Sequence, residues 1–70
     1  MSFARRMKRA NDHRDRFVEK SLRALKRMEP TRVMAALRHL ETELAAGRIR
    51  PQDADRTRTL IARARAEVLA

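Results

Sequence analysis

Residues 28–53 read MEPTRVMAALRHLETELAAGRIRPQD, and the punctuation of this stretch divides the chain. Proline has no amide hydrogen and clashes with a preceding helical turn, yet its fixed φ suits the first position of a new helix. Pro30 therefore closes one helix and opens the next, and Pro51 marks a second opening. Between them Val33, Leu37, Leu40 and Leu44 recur at helical spacing with Ala36 flanking, which predicts a helix over 30–46 with one apolar face. Arg32, Arg38, His39, Thr42 and Glu43 fall mostly off that face. Gly47 follows, and glycine readily takes the left-handed conformation that ends a helix. The joint Gly47-Arg48-Ile49-Arg50-Pro51 is short enough for an antiparallel helical hairpin, with Ile49 tucked against both arms.

Downstream, a helix is expected over 51–68, with Ala54, Thr57, Leu60, Ile61, Ala64 and Val68 on one face. Asp53 falls in its first turn, near the positive end of the helix dipole. The small residues at 54, 57 and 64 permit close approach to the second helix. Arg56, Thr59, Arg63 and Glu67 are placed on the opposite side, with Arg58 and Arg65 near one edge.

The run L-x-x-L-x-x-x-L-x-x-G-x-I from Leu37 through Ile49, followed by Pro51, Asp53 and a helix carrying Leu60 and Ile61, resembles the short C-terminal oligomerisation hairpin family. Position 54 is Ala where that family usually has a larger hydrophobic residue. The resemblance implies a hairpin used for self-association.

Upstream, residues 1–28 hold ten of the eighteen Lys and Arg residues against only Asp12, Asp15 and Glu19. Helical periodicity gathers Phe3, Met7, Ala10, Phe17, Val18, Ser21, Leu22, Leu25 and Met28 on one side. Arg5, Lys8, Arg9, Arg16, Lys20, Arg23, Lys26 and Arg27 occupy the other. The stretch is either one helix of about 25 residues or, the preferred reading, a helix over 12–28 with Asp12 as N-cap and Asp15 in its first turn, preceded by a basic arm over 1–11 that orders on contact. Arg14 lies at the edge of the apolar stripe, its stem over the core and its guanidinium in water. Pairs four apart are mixed: Asp12 with Arg16 and Glu19 with Arg23 attract, whereas Asp15 and Glu19 repel.

The expectation is an all-α, small three-helix protein forming a single domain: a basic amphipathic N-terminal helix, then an antiparallel hairpin. Its core is assigned to Val33, Leu37, Leu40, Leu44, Ile49, Leu60, Ile61 and Val68, with Phe17, Val18, Leu22, Leu25 and Met28 from the first helix. Although 43% of the 70 residues are hydrophobic, Trp and Tyr are absent and Phe3 and Phe17 are the sole aromatics. So thin a core favours a homodimer or membership of a complex.

Composition also narrows function. Without cysteine there are no disulfides, thiol nucleophiles or Cys-based zinc sites. No run approaches about 18 apolar residues, so no transmembrane segment is expected, and cytoplasmic residence is the simplest reading. His13 and His39 have no metal-ligand partners at helical spacing, Glu41 and Glu43 diverge around a helix, and Ser21 lacks a nearby base. Neither catalysis, a metal nor a cofactor is expected.

A net charge of +9 points to a polyanionic partner. The favoured reading is a small regulatory or architectural protein that contacts DNA or RNA phosphates through Arg5, Arg6, Lys8, Arg9, Arg16, Lys20, Arg23, Lys26 and Arg27. The alternative is an adaptor or inhibitor docking on an acidic protein surface through Phe3, Met7 and Arg14.

Overall fold

The computed structural model describes residues 16–70, which are all-α, with no strand among the described residues. Helix α1 covers 16–26, α2 runs Pro30–Ala45 and α3 runs Pro51–Glu67. The expected arm over 1–11 and the start of the first helix lie outside the described residues.

Both prolines open helices for the same reason. The residue before a proline is pushed out of the α region, and Glu29 (φ −65°, ψ 143°) and Arg50 (φ −59°, ψ 143°) are both extended. Their carbonyls then accept the first helical bonds, from the Val33 amide at 3.0 Å and the Ala54 amide at 3.0 Å. Ahead of the first joint, α1 closes with tightened bonds from the Arg27 amide to the Ala24 carbonyl and from the Met28 amide to the Leu25 carbonyl.

The end of α2 is a Schellman motif. Gly47 sits at φ +72°; its amide donates to the Leu44 carbonyl and the Arg48 amide reaches back to the Glu43 carbonyl. This motif commonly carries an apolar contact between its flanking side chains. Here the Arg48 Nε donates to Glu43 Oε2 at 2.6 Å instead, so an ion pair closes the same bracket.

All three helices contribute to one buried cluster: Val18 and Leu22 from α1, Val33 and Leu37 from α2, and Leu60, Ile61 and Ala64 from α3. Leu25, Leu40, Leu44, Val68 and Leu69 pack around it. Ala64 is fully buried, as its small side chain permits, and the buried Thr57 hydroxyl donates to the Asp53 carbonyl at 2.8 Å. Leu69 was not among the expected core residues. The Leu69 amide still bonds the Ala64 carbonyl at 3.1 Å, which folds its side chain back over the cluster.

Two core expectations are corrected. Phe17 is 43% exposed and Met28 39% exposed. The centre of α1's inward face runs through Val18, Leu22 and Leu25, and a one-residue step rotates Phe17 by about 100° to the edge of that face. Met28 lies two residues past the end of α1, in the joint. Ile49 is half-buried beside Phe17.

Candidate nucleic-acid interface

Charge is distributed unevenly over this scaffold. The six arginines from 48 to 65 all have carboxylate partners. Arg48 pairs with Glu43, Arg50 with Asp53 at 2.8 Å, Arg56 with Asp53 at 2.5 Å and Arg58 with Asp55 at 3.3 Å. Arg63 bridges two helices, donating to Glu19 at 2.6 Å and Glu67 at 2.7 Å, and Arg65 donates to Glu41.

These contacts alter the titration of several acids. Hydrogen bonding from Arg48 holds the Glu43 carboxyl below its ordinary value, helped by the nearby positive charge of Arg48 and His39. Arg50, then Arg56, does the same for Asp53, and Arg63 for Glu67. Glu41 and Glu43 reach different arginines, Arg65 of α3 and Arg48 of the joint after α2.

One expected pairing and one expected exposure are revised. Glu19 turns to Arg63 of α3 rather than along α1 to Arg23, because the cross-helix arginine is already held in place by Glu67. Arg56 and Arg63 were placed away from the core but are half-buried. Both reach α1: Arg56 lies over the Phe17 ring and Arg63 donates to Glu19.

The other cations are arranged differently. Arg16, Lys20, Arg23, Lys26, Arg27, Arg32 and Arg38 are exposed and make no ion pair among the described residues. Arg16, Lys20 and Arg23 fall at i, i+4 and i+7, a single stripe along the face of α1 opposite Val18 and Leu22 that runs for about 10 Å. Arg27 follows in the turn that closes the helix. Lys26 leaves this stripe and lies toward Glu67, whose carboxyl feels its charge. Arg27 and Arg32 face a common cavity of about 370 Å³ with Met28 and Glu29, which continues the basic surface from α1 onto α2.

Of the expected phosphate contacts, Arg16, Lys20, Arg23, Lys26 and Arg27 are therefore placed; Arg5, Arg6, Lys8 and Arg9 lie outside the described residues, as do Phe3, Met7 and Arg14. Arg32 and Arg38 were missed because their own helix had been read for its apolar face. Neither has an acidic residue at i−4 or i+4, although Glu29 lies three before Arg32 and Glu41 three after Arg38.

The described residues hold no group of three potential metal-binding side chains, and no described helix is long and apolar enough to cross a membrane. His39 is exposed, 4.0 Å from Glu43. No protein-family model, curated protein or solved structure matches the chain.

Proposed function

We propose that this chain binds nucleic acid through its phosphates, using the outward face of α1 and its continuation at Arg32. One observation carries the reading: the arginines of residues 48–65 are matched by carboxylates, whereas the exposed cations of α1 and early α2 have none among the described residues. Cations already paired have less charge to offer a phosphate. An unmatched row on one helical face can displace condensed counterions along a backbone without reading its bases.

The test is binding of the full chain to labelled nucleic acid across a salt series. Replacing Arg16, Lys20, Arg23 and Arg27 together with Gln should weaken binding to all sequences and flatten the log K against log salt slope by about 3 to 4. Replacing Arg48, Arg58 and Arg65 instead should leave both nearly unchanged. Salt-insensitive binding, or equal loss from the two sets, would remove the support for this reading. Capture of a stoichiometric protein that survives nuclease treatment would favour an acidic protein surface as the partner.

A further inference from the structure

Phe17 is the sole aromatic residue among the described residues, and it is held at the surface beside the basic stripe. Arg56 Cζ lies over its ring, 5.1 Å from the centroid, within the range where a cation is attracted to the ring face. That guanidinium is itself restrained. Its Nη2 donates to Asp53 Oδ1, Asp53 Oδ2 accepts from Arg50 Nε, and its Nε is enclosed without a hydrogen-bond partner. The ring thus has a restrained cation over one face, and Phe17 as a whole remains 43% exposed.

Phe17 borders a cavity of about 380 Å³ that it shares with Ile49, Arg50, Asp53, Arg56 and Thr57. Arg16 adjoins Phe17 in sequence, and Lys20, three residues on, is its neighbour along the helix. An apolar planar surface is therefore flanked by exposed cations.

We infer that Phe17 is a stacking platform for an unpaired nucleobase, so that the preferred ligand is single-stranded nucleic acid. This rests on the phosphate-binding reading above and adds a ligand class to it. Every nucleobase has a face that stacks on an aromatic ring, and the phosphates on either side would meet Arg16 and Lys20. In a duplex the bases are already stacked on one another and present only their edges, so the ring has no face to engage.

The experiment compares the full chain with its Phe17→Leu and Phe17→Trp variants, after circular dichroism has established equal helicity. Probes are short labelled single strands of DNA and of RNA with mixed sequence, and the corresponding duplexes. Phe17→Leu should weaken single-strand binding by about tenfold and change duplex binding by less than about twofold. Phe17→Trp should retain single-strand affinity, and because the chain has no other Trp, quenching of its indole by single strands but not by duplexes reports stacking directly.

Equal loss on single strands and duplexes, or no loss on either, would overturn the inference. If the wild-type chain binds with steep salt dependence but ignores Phe17→Leu and leaves the indole unquenched, the platform falls and the phosphate surface stands. If the wild-type chain binds no strand, both fall.

Discussion

At the scale of single residues, burial decides which apolar side chains matter. Val33, Leu37 and Leu22 are almost completely enclosed, while Met34, one residue along α2 from Val33, is 44% exposed. Leu37→Ala should therefore cost about 2–5 kcal/mol, combining lost transfer free energy with the cavity left behind. Met34→Ala should cost well under about 1 kcal/mol, as surface changes usually do. Urea denaturation of the two variants is the measurement. Since a domain this small has roughly 3–5 kcal/mol from its core, Leu37→Ala is expected to leave much of the chain unfolded in buffer. A cost for Leu37→Ala no larger than that for Met34→Ala would contradict the assigned core.

At the scale of elements, the helix ends show why much of the fold was legible. Pro30, Gly47 and Pro51 each have a narrow conformational use, and each was placed within a residue of the boundary it sets. The side-chain contacts were less legible because long arginines choose partners across helices. Arg63 and Arg65 reach Glu19 and Glu41, positions that no short-range spacing rule connects. Phe17 was assigned to the core from its neighbours in the helical wheel, a projection that says nothing of where the other two helices stop. The same limitation hid Arg32 and Arg38: an exposed arginine on an amphipathic helix looks ordinary until the ion pairs elsewhere are known.

The stop at Gly47 separates backbone strain from crowding. A Cβ added there would meet nothing within 4 Å, so the cost of Gly47→Ala comes from its φ of +72° alone. About 1–2 kcal/mol of destabilisation is expected, and less for Gly47→Asn, because asparagine tolerates this region. Glu29 offers the opposite sign. It occupies the N-cap of α2 without a side-chain capping bond, and that helix has no acidic residue in its first turn. Glu29→Ser should supply a hydroxyl to the free amides and raise stability by about 0.5–1 kcal/mol. Thermal unfolding of both variants would check the two signs independently.

At the scale of the whole molecule, carboxylates connect the three helices while leaving one face basic. Glu19 links α1 to α3 through Arg63, Glu41 links α2 to α3 through Arg65, and Glu43 and Asp53 brace the joint between α2 and α3. Acid should act on this framework in a definite direction. The Glu43, Asp53 and Glu67 carboxyls titrate lower in the folded chain than their ordinary values of 4.5, 3.8 and 4.5. Each therefore contributes stability that is present above the ordinary value and lost as pH falls through the depressed one. Their exposure keeps each contribution small. Their protonation also removes opposing charge from a chain that already has an excess of nine positive charges, so repulsion rises together with the loss of pairing. Urea midpoints should stay level from pH 7 to about pH 5 and decline below about pH 4. Glu67→Gln should remove part of that decline by making one carboxyl contribution independent of pH, at the cost of a slightly lower midpoint at pH 7. A midpoint that rises on acidification, or an acid response unchanged by Glu67→Gln, would show that these carboxyls do not stabilise the fold through their arginine partners.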